Sequence, residues 1–429
     1  MPDLSSHPEA ARPGGIGAAA ETVTRQQWKW SALAGMASYL DAGSIVALGA
    51  GLALFQQKFG LGDHALGVLA AIGPNAIGCA LGAILGGRLG DKLGRKRIYQ
   101  YDLIVYALGI LCIALAVNRE MLFAGTLVVG LAVGADVPTS LALVGEFAPA
   151  KARGKLLGFT QVAWCLGPSI VLWLALALAS FGLLGVRIVF LHLFVVAIIT
   201  WALRQGLAES ARWQEASQSD RAARPRLGSL FSGSNFRALV WTATIYTFWN
   251  LAAGTAGEFN SYLITKHHAG SQALGVGLPS AAFITMMVVT VVVFMPYSDR
   301  NYSTRRRLWA IGAITQIFAY AMLIVLPFSI PAIVANIILF AGEAFYKVFS
   351  QELFPTMLRG TAQGFTFGVA RVAVGVWSFF VPRLSHNGVG TLATLLTVFL
   401  VISGAAGFFF MPDTSGKSLE QIQLERGEG

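Results

Sequence analysis

Charge is scarce in this chain. Only 12% of its 429 residues are Asp, Glu, Lys or Arg, against about 25% in a typical soluble domain. That composition excludes an ordinary water-soluble globule. Cysteine is nearly missing: Cys79, Cys112 and Cys165 all lie in apolar runs. Their spacing offers neither a disulfide framework nor a zinc site. No Gly-x-x-x-x-Gly-Lys-Ser/Thr sequence occurs, so no phosphate loop of that type can feed the protein with nucleotide energy. No cluster of metal ligands and no nucleophile motif argues for an enzyme. Residues 1–25 lack the basic start and apolar core of a cleaved signal. Rich in Ala, Gly, Pro and Ser, they read as a disordered cytoplasmic tail.

What the chain has is apolar length. Its residues are 55% hydrophobic and its mean hydropathy is +0.64. Twelve apolar spans follow one another, at 30–55, 65–87, 99–118, 121–146, 157–181, 185–206, 237–264, 274–297, 307–328, 331–352, 362–384 and 389–411. Each is near the roughly 20 residues that a helix needs to cross a bilayer. The net charge of +10 is placed by topology rather than by nucleic acid, because the cations sit in short loops. The loops after even-numbered spans hold Arg88 to Arg97, Lys151 to Lys155, Arg300 to Arg307 and Arg359. The opposite loops hold isolated cations such as Lys58, Arg119 and Arg187. Cations gather on the cytoplasmic side, so both termini are expected there.

The most informative loop is Gly86 to Arg97, with Gly87, Leu89, Asp91, Gly94, Arg95 and Lys96 in a charged, glycine-rich turn. A second pattern occurs twice. Glu146, Pro149, Arg153-Gly154 and Gly158-Phe159 match Glu352, Pro355, Arg359-Gly360 and Gly364-Phe365 at the same spacings. Asp91 to Arg97 has a weaker counterpart in Asp299 to Arg307. The two sets of six spans are therefore parallel repeats. The polar, basic stretch between them joins the repeats.

These residues carry a resemblance. The Gly87-x-Leu89-x-Asp91-x-x-Gly94-Arg95-Lys96 turn resembles the signature loop of the major facilitator superfamily. The paired Glu-x-x-Pro-x-x-x-Arg-Gly turns resemble its sugar-porter branch. So do Leu207 to Trp213 after the sixth span, where both of the branch's prolines are replaced, and Pro412 to Glu420 after the twelfth. The resemblance implies an all-α membrane protein, with twelve transmembrane helices in two six-helix pseudo-symmetric bundles. The expected divisions are a tail at 1–25, bundles at 26–206 and 237–411, a cytoplasmic linker at 207–236 and a cytoplasmic tail at 412–429. It also implies a substrate site at the midplane between the repeats. Physically, the basic-loop residues read as a latch. Asp91, Arg95, Glu146 and Arg153 of one bundle would meet Asp299, Arg305, Glu352 and Arg359 of the other when the cytoplasmic side closes.

Polar groups inside the spans supply the candidate site. Asp41 lies near the middle of the first span, where an unpartnered Asp costs about 2.5–3.5 kcal/mol on insertion scales. Proton-coupled sugar porters carry an Asp there, and pair it with an arginine in the fourth span. No Lys or Arg lies between Arg119 and Lys151, but Asp136 does. That departure leads us to expect two carboxylates, Asp41 and Asp136, sharing a proton. Packing of Asp41, or a helix-kink role for Asp136 near Pro138, is the plainer alternative. Gln161 matches the branch's sugar-binding glutamine, and an amide both donates and accepts; an interhelical hydrogen bond would explain it equally well. In the seventh span Trp249 and Asn250 replace the usual amides, with Gly254 and Gly257 beyond them and Glu258 nearer the external mouth. Glu343 and Lys347 stand four apart on one helix, as a self-neutralising pair would. Arg371, with Trp377 beyond it, could grip a carboxylate ligand or Glu343.

Tyr39 to Gly49, Ile72 to Asn75 and Gly134 to Pro138 look most like the bacterial inositol transporters. This resemblance implies a secondary transporter, not an enzyme, that works as a monomer in the inner membrane. It would move myo-inositol or a related cyclitol with protons by alternating access. Three alternatives stay open: an organic-acid or anionic-sugar carrier using Lys347 and Arg371, a proton-independent facilitator, and a nutrient sensor without turnover.

Overall fold

The computed structural model describes residues 22–207, 209–218, 227–266, 272–326, 342–385 and 389–427. Helices account for the regular structure there, and no strand occurs among the described residues. The first set comprises α1 (Arg25–Phe59), α2 (Asp63–Ile72), α3 (Ile77–Leu93), α4 (Arg95–Ala114), α5 (Arg119–Phe147), α6 (Arg153–Ala177) and α7 (Leu183–Arg204). A short helix, α8 (Ala211–Gln218), lies in the connecting stretch. The second set comprises α9 (Gly233–Lys266), α10 (Gln272–Val289), α11 (Tyr302–Val325), α12 (Gly342–Glu352), α13 (Thr356–Ser378) and α14 (Gly390–Phe409), followed by the terminal α15 (Leu419–Glu425). Among the described residues, nine helices are long and apolar enough to cross a membrane. The tenth expected span lies partly outside the described residues, which resume at Gly342 in α12.

The second expected span is not one continuous helix. Pro74 lacks an N–H and disfavours helical geometry at Gly73, so α2 ends at Ile72 and α3 starts at Ile77. The break places Asn75 inside the bundle, 5% exposed. The eighth span also changes geometry. After Val289, a π-helical turn covers Thr290–Phe294 before Met295–Tyr297 completes the helix. Such single π turns shift the side-chain register of a helix.

The two sets meet along close crossings. A Cβ at Gly87 would stand 2.1 Å from the carbonyl oxygen of Gly360, and one at Gly364 would stand 2.1 Å from that of Ala83. Hence α3 and α13 cross backbone to backbone, which only a missing side chain permits. The related crossing sets Gly158 of α6 against Phe294 and Met295. Gly94, at φ +101°, turns the chain from α3 into α4. A side chain at that left-handed φ would be strained.

Candidate functional site

A narrow cavity lies between the two helix sets. Asn75, Trp164, Trp249, Asn250, Glu343 and Arg371 form its polar and aromatic wall. Arg371 of α13 reaches across to the first set. Its Nη2 lies 3.7 Å from Asp41 Oδ2, and its Nη1 donates to Asn75 Oδ1. Trp164 Nε1 also donates to Asp41 Oδ2, at 3.3 Å. Below this group, Lys347 Nζ donates to Gln161 Oε1 at 2.8 Å and stands 3.7 Å from Glu343 Oε1. Both cations of the centre thus have acidic partners, as a dry interior demands.

Several polar atoms at this wall remain unsatisfied. Asn250 Oδ1, Glu343 Oε2 and Arg371 Nε of the lining residues, and Asp41 Oδ1 beside them, are buried and have no hydrogen-bond partner among the described residues. Three acceptors and one donor are therefore left without a protein partner at the cavity. Leaving a buried polar atom unmade costs about 1–3 kcal/mol, so a ligand that supplies hydroxyl donors stands to gain.

Not every expected residue joins the wall. Trp377 does not line the cavity; its indole N–H donates to Thr255 Oγ1 at 2.9 Å and its ring meets Phe399 edge-on. That face of α13 packs on its own helix set. Gln161 sits behind the wall, with its amide oxygen held by Lys347 and its amide nitrogen 3.9 Å from Met286 Sδ. Glu258 falls in α9, but its side chain lies outside the described residues.

The expected pairing of Asp41 with Asp136 is corrected. Asp136 belongs to a separate cluster, where Arg204 Nη1 and Nη2 both stand 3.1 Å from its Oδ2. Asp102 joins at 3.6 Å from Arg204 Nη1. The guanidinium also covers the Tyr99 ring at 3.6 Å and donates to the Leu33 carbonyl. The missing arginine of α5 has been supplied from the end of α7. Asp102, Arg204 and Trp164 were not singled out from the sequence. An Arg closing an apolar run was the one signal available for Arg204.

The end of the bundle that carries the basic loops is closed by two clusters. Arg95 binds Asp91 at 2.8 Å and Glu146 at 2.9 Å, and Arg359 of the other set approaches Glu146 at 3.2 Å. Asp91 also accepts from the backbone N–H groups of Gly360 and Thr361, at 3.1 and 2.6 Å. Its carboxylate thereby binds the second turn of α13 from across the seam, and Thr361 Oγ1 donates to it as well. The second cluster repeats the design. Arg305 binds Glu352 at 2.8 Å and Asp299 at 3.4 Å, and Arg153 approaches Glu352 at 3.2 Å. Asp299 accepts from Gly154 N at 2.9 Å and Lys155 N at 3.0 Å, at the start of α6. Burial pushes the Asp299 carboxyl up from its ordinary value, while Arg305 pulls the other way. The sequence patterns flanking these turns act as straps. Glu209 accepts from the backbone of Arg95 and Lys96, Trp213 Nε1 donates to Asp91 O, and Arg212 meets Glu420 of α15.

The profile of the Major Facilitator Superfamily matches residues 31–382. The chain belongs to that superfamily. It is 38% identical over 407 residues to the minor myo-inositol transporter IolF of Bacillus subtilis (strain 168), across 91% of this chain and 92% of that one. It is 26% identical over 383 residues to the glucose transporter GlcP of Staphylococcus epidermidis (strain ATCC 12228 / FDA PCI 1200), across 78% and 83%. Among solved structures, the proton:xylose symporter XylE bound to 6-bromo-6-deoxy-D-glucose superposes with a TM-score of 0.79 at 17% identity, covering 93% of this chain and 98% of that one. A partially occluded inward open conformation of XylE from E. coli gives 0.69 at 17% identity, covering 92% and 100%. This major facilitator is a multi-pass membrane transporter and not an enzyme.

Proposed function

We propose that this transporter moves a small neutral polyol, myo-inositol or a related cyclitol, across the cytoplasmic membrane by alternating access with proton symport. The observation that carries the reading is the cavity wall. Its one cation, Arg371, is already matched by Asp41 beside the wall, as Lys347 behind it is by Glu343, and the unpartnered lining atoms are two acceptors and one donor. An anion would meet the Glu343 carboxylate there, with Asp41 close by, whereas a ring of hydroxyls meets acceptors. The likeness to IolF points the same way. This argues against the organic-acid carrier, which would need Lys347 and Arg371 free.

Asp41 is the proposed proton carrier. It sits on α1 while its ion-pair partner sits on α13, so its charge ties the two helix sets together at the cavity. Protonation removes the attraction and frees Arg371, which would ease the rocking of one set on the other. Asp136, held by Arg204 within the first set, has no such leverage. The positive-inside rule puts the two charge clusters on the cytoplasmic side, so this arrangement would be closed to the cytoplasm.

Counterflow in proteoliposomes tests the substrate. Labelled myo-inositol should exchange, unlabelled cyclitols should compete, and small carboxylates should not. Exchange of a carboxylate in place of inositol would reject the reading.

A further inference from the structure

Trp249 lines two cavities, the central one and a second one inside the second helix set. Trp309, Gly312, Phe345 and Gly404 also line that second space. Tyr246, one turn back on α9, stacks beside the indole with ring centroids 6.0 Å apart.

Gly342 is the residue that lets the indole stand where it does. A Cβ built there would lie 2.6 Å from Trp249 Cδ1 and 2.7 Å from Nε1. Both distances are too short for contact between carbon and a ring, so any side chain at this position displaces the indole. Gly342 lines the second cavity, while its neighbour Glu343 lines the central one. A group added at 342 therefore meets the indole from a residue that lines the second cavity.

We propose that Gly342 sets the size limit of the central site, by leaving Trp249 room to stand back from the solute. Trp249 is then a movable partition. Pushed forward, it shortens the site; removed, it joins the two cavities into one. Resting on the polyol reading above, this inference assigns the size selection of that site to one glycine and one indole on neighbouring helices.

The experiment uses the full-length protein in proteoliposomes with labelled myo-inositol and labelled erythritol, a smaller polyol. Gly342→Ala should raise the half-saturating inositol concentration by about 10-fold, the scale of modest overpacking, and should change erythritol far less. Adding Trp249→Ala to Gly342→Ala should restore inositol to within about 3-fold, because alanine lacks the Cγ, Cδ1 and Nε1 atoms that the methyl group meets. Trp249→Ala alone should admit maltitol, a glucosyl polyol that the parent should exclude. Unchanged inositol handling in Gly342→Ala would overturn the proposal, and so would a loss that Trp249→Ala fails to restore. A parent that exchanges no inositol overturns the polyol reading instead. The partition is then judged by melting temperature: Gly342→Ala must lower it and the double variant must recover it. No recovery removes the contact on which the inference stands.

Discussion

Asp41 and Arg371 face each other across the seam between the two helix sets, 3.7 Å apart at their nearest atoms. An acid on one helix set and a base on the other form a tie that a single proton can undo. Asp41→Asn is therefore expected to abolish uptake driven by an imposed inward proton gradient. Counterflow exchange, which needs no net proton movement, should persist. Accumulation that survives in this variant would move proton coupling elsewhere. In the parent, a protonophore should collapse concentrative uptake; no concentrative uptake at all would identify a facilitator.

Asp136 should behave differently, because Arg204 holds it away from the cavity. Arg204→Met would leave Asp102 and Asp136 without their cation in a buried cluster. Breaking such a site by removing one partner typically costs about 3–5 kcal/mol, so the variant should melt markedly lower in detergent. Asp136→Asn should retain proton-driven accumulation once corrected for protein amount. Loss of accumulation at normal abundance would restore a coupling role to Asp136.

Asp91 accepts two backbone N–H groups in the second turn of α13 from the opposite helix set. Asp91→Asn should slow transport while leaving equilibrium inositol binding within a few-fold, since the residue lies at the far end of α3. Scintillation proximity binding on purified protein separates the two effects. If binding disappeared in folded protein, the latch would not be Asp91's role.

Asn250 offers an unpartnered amide oxygen to the cavity. Asn250→Ala should weaken inositol binding by about 1–3 kcal/mol, the worth of a buried hydrogen bond. Gln161→Ala should weaken it too, but through Lys347, which would lose its acceptor. Unchanged affinity in both variants would remove them from the polyol site.

Helix lengths and the charged turns were legible because the bilayer enforces both. A span must be long and apolar, and its cations must sit in loops. The Glu146 and Glu352 repeats were legible for the same reason, as each marks a corresponding turn. Their energetic weight was not. Surface-like pairs of about 1 kcal/mol were the natural expectation, yet Arg95, Arg153, Arg305 and Arg359 are buried to 1% exposure or less. The partner of Asp136 could not be found along α5, because tertiary packing supplies it from α7. The side of α13 on which Trp377 falls depends on neighbours, so spacing alone placed it wrongly. The stretch 65–87 was read as one span, and Pro74 breaks it before α3; that break is what brings Asn75 to Arg371.

Each of the two charge clusters borrows an arginine from the other half of the chain: Arg359 serves Glu146, and Arg153 serves Glu352. During synthesis the first half reaches the membrane before Glu352 exists. Until then Arg153 faces a bilayer border without its acid, and Glu146 lacks one of its two bases. A newly made first half is thus chemically incomplete, and its own unmatched charges label it as unfinished. Expressed alone, residues 1–218 should be cleared by the cell. Expressed alongside 219–429 as a second chain, they should accumulate and pair, and failure to pair would show that the borrowed arginines do not govern assembly.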